Sequence, residues 1–96
     1  MLNQIVLVGK VVEEIKATEN QATIVISVSR SFKNEEGLYE RDNIPVVLYN
    51  GIAQNAKEYW TKGTLIGIKG RIQMIDNNIT IIAEKITFLS SKKEVE

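Results

Sequence analysis

The chain has no cysteine and no histidine, and its 12 basic residues are cancelled by 12 acidic ones. Without those two residue types it cannot build a zinc ribbon, a thiol nucleophile or a histidine acid–base pair. Disulfides are excluded as well, so stability must come from a buried core, and a cytoplasmic setting is the simplest expectation. No apolar run is long enough to span a bilayer, because charges or Asn/Gln interrupt each one. The N-terminus lacks a basic lead and a small-residue cleavage site, so no signal peptide is expected. Asp42 with Glu40, or Asp76 alone, offers too few convergent ligands for a metal ion. These absences argue against an enzyme, a metal site or a cofactor. The missing positive excess also counts mildly against a polyanion partner, although charge placement matters more than its sum.

What is present reads as strands. Ninety-six residues suffice for one modest core, expected over residues 1–90, with 91–96 as a short frayed tail. Residues 2–12 are apolar on both parities: Ile5, Leu7 and Val11 on one, Val6, Val8 and Val12 on the other. Such a strand needs cover on two sides, the interior on one and a partner surface on the other. Residues 13–20 read as a polar connection. Ile24, Ile26 and Val28 alternate with Thr23, Ser27 and Ser29, and Lys33-Asn34-Glu35-Glu36-Gly37 reads as a hairpin loop. In the third strand, residues 39–49, Ile44, Val46 and Leu48 point inward. Asn43, Pro45, Val47 and Tyr49 point outward, with Pro45 at an edge or bulge.

Residues 51–60 have helical spacing, with Ile52, Ala53, Ala56, Tyr59 and Trp60 on one face, and Lys62-Gly63 ends the helix. The fourth strand, residues 64–76, turns Ile66, Ile68 and Ile72 inward and Lys69 and Arg71 outward. Asp76-Asn77-Asn78 is a tight turn before a fifth strand over 79–89. The order β-β-β-α-β-β predicts an all-β OB-fold: a five-stranded Greek-key barrel with one short helix between strands three and four.

Five segments in register resemble bacterial single-stranded DNA-binding proteins. They are Asn3-Gln4-Ile5-Val6-Leu7-Val8-Gly9-Lys10, Ser29-Arg30-Ser31-Phe32-Lys33-Asn34, Val46-Val47-Leu48-Tyr49, Ala53-Gln54-Asn55-Ala56-Lys57-Glu58-Tyr59 and Lys62-Gly63-Thr64-Leu65-Ile66-Gly67-Ile68-Lys69-Gly70-Arg71-Ile72. The resemblance spans residues 1–89. It implies a homo-oligomer, tetramer or dimer, that wraps single-stranded DNA in replication, recombination and repair, associated with the nucleoid. It also implies that bases stack on Phe32 and Tyr49, that Arg30, Lys33, Lys69 and Arg71 follow phosphates, and that Leu2, Gln4, Val6 and Val8 face another copy.

The sequence departs from the family at Asn43, where an aromatic is usual, at Pro45, and in the shortened hairpin at residues 76–78. The family's acidic-tipped tail is absent from these 96 residues, so tail-mediated recruitment of repair enzymes is not expected. An OB-fold module whose main ligand is protein is the rival expectation. Each site residue also has a plainer reading. Phe32 would pack on the hairpin arm or a neighbouring subunit, Tyr49 would cover the helix, and Lys69 and Arg71 would be solvated strand residues. Lys10 and Lys85 stay open between those two readings. Trp60 is expected in the core or an interface.

Overall fold

A computed structural model describes residues 2–90 of the chain; the expected tail at 91–96 lies outside the described residues. In chain order the elements are β1 (Ile5–Val11), β2 (Lys16–Ala17), β3 (Gln21–Lys33), β4 (Tyr39–Tyr49), α1 (Asn50–Tyr59), β5 (Leu65–Ile75) and β6 (Asn78–Ser90). The strands lie in the order β1-β5-β6-β4-β3-β2. β1 also pairs with β3 at Lys10↔Ser27 and Val11↔Ile26, and this second pairing closes the five long strands into a ring. β4 runs parallel to β6 at Val46↔Ile81 and Val47↔Ile82, and the other pairings are antiparallel. This is the expected OB-fold, with its helix between the third and fourth long strands.

The alternation read from the sequence sets the interior. Val11, Ile24, Ile26, Val46, Leu48, Ile66 and Ile68 fill the ring, and Ala53, Ala56 and Trp60 join them from the helix. Trp60 meets Phe88 edge-to-face, centroids 5.4 Å apart at 89°. Its indole Nε1 is buried without a hydrogen-bond partner among the described residues. Two glycines hold the strands at close approach. A Cβ on Gly70 would collide with the Ile82 carbonyl, and one on Gly9 with the Ser27 carbonyl.

Some expectations are corrected. The connection at 13–20 contains β2, which pairs Lys16↔Thr23 and Ala17↔Ala22 and extends the β3 edge. Ile72 and Tyr59 are exposed rather than inward. β1 pairs with β5 only as far as Gly70; at Ile72 the strand ladder gives way to the Asn3 side chain, which donates to the Ile72 carbonyl at 2.8 Å and accepts from its amide at 2.9 Å. Tyr59 stands in the last turn of α1 and stays exposed, the core contact there being made by Trp60, the residue after it. Gly63 does not cap the helix, which ends at Tyr59. Its positive φ instead turns the chain back so that its amide donates to the Val11 carbonyl at 2.7 Å. The β5–β6 turn is the two-residue Asp76-Asn77, both at positive φ, and Asn78 already belongs to β6. Positive φ at both central positions suits the twist of a hairpin.

Candidate nucleic-acid interface

Two hairpin arms leave the barrel. On the β3–β4 arm the ladder breaks register between Ser29 and Lys33, and the strands continue to a loop organised by Asn34. Its side-chain Oδ1 accepts from the Glu36 and Leu38 amides at 2.9 and 3.0 Å, and Gly37 takes positive φ. Phe32 stands on this arm with 81% of its surface exposed. A phenyl ring that far out of the core contributes little to folding and keeps a face for stacking. Beside it, Lys33 Nζ lies 5.8 Å from the centre of the Tyr39 ring.

Arg30 does not stand free on this arm. Its Nε and Nη2 donate to the two Asp42 oxygens at 3.0 and 2.9 Å, and Nη1 donates to Glu40 Oε1 at 2.6 Å. The hydrogen bond from Arg30 holds the Asp42 carboxyl below its ordinary range, against partial desolvation, and the guanidinium is in turn shifted upward by Asp42 and Glu40. Arg71 is held in the same way: Nη1 donates to Glu84 at 3.0 Å and Nη2 to Gln73 at 3.2 Å. Exposed ion pairs of this kind contribute little net stability, because water and salt screen them. A phosphate can therefore displace the carboxylates, at a cost that a free base does not incur.

The remaining residues fall elsewhere. Tyr49 ends β4, opposite Gln21, and is 37% exposed. Ten residue steps of β4 lie between it and Tyr39, which pairs with Lys33 on the Phe32 arm. Lys69 projects from the outer face of β5, where its ladder partners are Val6 and Lys85. Val6, Val8, Gln4 and Leu2 are all exposed. The structure thus sets Lys69 and Val6, expected to serve DNA and self-association respectively, side by side on one face.

Sequence reasoning passed over the exposed apolar pair Met74 and Ile79, which sit opposite each other on the β5–β6 arm. It also passed over Leu38, exposed on the β3–β4 arm. A usable signal existed for the pair, since both lie within two or three residues of a turn that carries the strand past its last barrel partner.

A barrel of this topology, with an exposed ring and bases on its arms, is the geometry of a strand-gripping surface. The single-strand binding protein family model matches residues 2–89. The chain belongs to this family. Among curated relatives, single-stranded DNA-binding protein 1 of Clostridium acetobutylicum is 34% identical, the match covering 97% of this chain and 98% of the relative. Single-stranded DNA-binding protein 2 of Staphylococcus aureus (strain COL) is 36% identical, over 96% of this chain and 76% of the relative.

Solved structures agree on the fold. The mitochondrial single-stranded DNA binding protein Rim1 of S. cerevisiae (Form 1) superposes with a TM-score of 0.72 at 16% identity, covering 95% of this chain and 100% of Rim1. The N-terminal domain of PriB from Thermoanaerobacter tencongensis, described as dimeric, gives 0.69 at 18% identity, covering 93% and 98%.

Proposed function

We propose that this single-strand binding family member binds single-stranded DNA without sequence preference, as a homo-oligomer, on strands exposed in replication, recombination or repair. The observation that carries the reading is the solvent-facing Phe32 ring, flanked by Lys33 and Arg30 on an arm of an OB-fold barrel. Bases stack on Phe32 and on Tyr49 at the far end of the same hairpin, and Lys33 and Lys69 neutralise phosphates. Arg30 and Arg71 join only by exchanging carboxylate partners for phosphate. Stacking tolerates any base because each presents a π face, which accounts for the lack of sequence preference. No catalytic step is proposed, and the site of action is the cytoplasm, at the nucleoid.

Self-association uses the outer face of β1, through Leu2, Gln4, Val6 and Val8, as a dimer or tetramer. An exposed strand face carrying two adjacent valines supports that reading. The rival, a module whose main ligand is protein, has no comparable support, since the named relatives are single-stranded DNA-binding proteins.

Titration of labelled oligo-dT across a salt series tests the binding. Affinity should fall with a log–log slope of about −0.7 per phosphate contacted. Absence of binding at low salt would reject the reading. Sedimentation tests the assembly: the wild type should exceed the 10.8 kDa of one chain, and Val6→Glu with Val8→Glu should shift it toward monomer.

A further inference from the structure

We propose that Arg41, at the root of the β3–β4 arm, holds a backbone phosphate of the bound single strand through the free edge of its guanidinium. The inference deepens the strand-binding reading and rests on it, by assigning a contact to an arginine that the sequence did not single out.

Strand alternation sorts the charges of this hairpin. Glu40 and Asp42 fall on one face of β4 and are occupied with Arg30. The opposite face of β4 carries Tyr39, Arg41, Asn43, Pro45, Val47 and Tyr49. No β3 residue paired with any of them is acidic, and the β1 residue opposite Ser27 is another base, Lys10. Among the described residues Arg41 is the one arginine without a carboxylate partner.

Its guanidinium is nevertheless fixed. Nε donates to Ser27 Oγ at 2.6 Å and Nη2 to the Ser27 carbonyl at 3.0 Å. Ser27 is only 7% exposed, so the anchor is a buried residue of the ladder. Both acceptors are neutral, and both are met by the Nε–Nη2 edge. The Nη1–Nη2 edge keeps its donors, which can meet two oxygens of one phosphate side by side. A planar fork held in place before the ligand arrives loses less freedom on binding than a free lysine does. Arg30 must first leave two carboxylates; Arg41 has none to leave.

Position also favours the contact. Two residue steps, about 7 Å, separate Arg41 from Tyr39 along the same face, and Lys33 Nζ sits over the Tyr39 ring. A strand stacked on Phe32 can meet Lys33 and then Arg41 on its way toward Tyr49. The row proposed for self-association stands clear of this face. Val6 and Val8 pair with Lys69 and Gly67 of β5, β1 meets β3 only at Lys10 and Val11, and Arg41 lies one strand further on.

Fluorescence anisotropy with labelled oligo-dT over a sodium chloride series tests the assignment in wild type, Arg41→Gln, Arg41→Lys, Ser27→Ala and Lys57→Gln. Arg41→Gln should lose about 0.7 from the magnitude of the salt slope, which implies about fivefold weaker binding at about 0.1 M salt relative to about 1 M. Weaker binding at unchanged slope would make Arg41 a stacking surface for a base and overturn the phosphate contact. A lower melting temperature with unchanged slope would make it a purely structural residue and overturn the contact as well.

Arg41→Lys keeps the charge and loses the fork, so the slope should hold while affinity falls about twofold or more. Ser27→Ala keeps the charge and removes one anchor, with the same expectation. Wild-type affinity in Arg41→Lys would overturn the fork, and in Ser27→Ala the anchored geometry; these two variants decide the matter if Arg41→Gln does not fold. Lys57, on the helix with its Nζ donating to the Glu19 carbonyl at 3.3 Å, controls for net charge. An equal loss of slope in Lys57→Gln would reduce Arg41 to part of a diffuse field and overturn the site. Wild type that binds oligo-dT while Arg41→Gln keeps its slope and affinity would sink the site and leave strand binding standing. Wild type that binds no oligo-dT would remove both.

Discussion

Replacing Phe32 with alanine separates its two possible roles by magnitude. The ring is 81% exposed, so less than a fifth of its surface is removed from water within one chain. For an aromatic side chain this is about 40 Å², worth at most about 1 kcal/mol of folding stability. The melting temperature of Phe32→Ala should accordingly fall by no more than about 8 °C, and by less if the unfolded chain is compact. A stacked base is worth about 1–3 kcal/mol, so affinity for oligo-dT should drop about 5- to 150-fold.

Phe32→Trp should restore or exceed wild-type affinity. Because the native Trp60 is buried, quenching by added oligo-dT would report directly on the new ring. Stacking on Phe32 is refuted if Phe32→Ala leaves affinity intact while the melting temperature or the assembly state collapses. That outcome would mean the ring is packed against another copy, and the stacking site would have to be sought elsewhere, with the exposed Met74–Ile79 pair the next place to look.

Three further outcomes follow from the geometry. Removing the carboxylates that hold Arg30, in Glu40→Gln with Asp42→Asn, should tighten oligo-dT binding and steepen the salt slope by about 0.7 as Arg30 gains a phosphate; an unchanged slope would show that Arg30 takes no part. Because Asp42 is held below its ordinary value of 3.8, its contribution to stability is complete above that value and is lost as pH falls through the lower folded value. The melting temperatures of wild type and Asp42→Asn should therefore converge below about pH 4, and a gap that widens there contradicts the sign. Gly70→Ala should destabilise by about 3 kcal/mol, the upper end of overpacking costs, because its methyl would meet the Ile82 carbonyl backbone. A melting temperature within a degree of wild type, measured by calorimetry, would mean the strands part there without strain.

Much of the barrel could be read directly. The alternation of Ile24, Ile26 with Thr23 and of Ile44, Val46, Leu48 with Pro45 and Val47 assigns each side chain to a face, because the period of a strand is two. The double apolarity of β1 pointed to a second side in need of cover, and within one chain that side, with Val6 and Val8, is exposed. Failures came where a strand outruns its partner. Ile72 keeps the parity of Ile66 and Ile68 but lies past the last β1 contact at Gly70, and nothing local in the sequence marks that limit.

The site residues divide along the same line. Parity nominated Tyr49, Lys69 and Arg71 as outward-facing, whereas Arg30 and Phe32 share the parity of the apolar face of their strand and were nominated by the resemblance to the family. Which of them are free depends on pairs distant in the chain: Arg30 with residues 10 and 12 positions on, Arg71 with one 13 positions on. Order in the chain determined the fold, the faces and the aromatic arm, since these follow from periodicity and local turn chemistry. Only the closed ladder, through register and one bulge, decided that both arginines are paired with carboxylates and that Lys69 stands opposite Lys85.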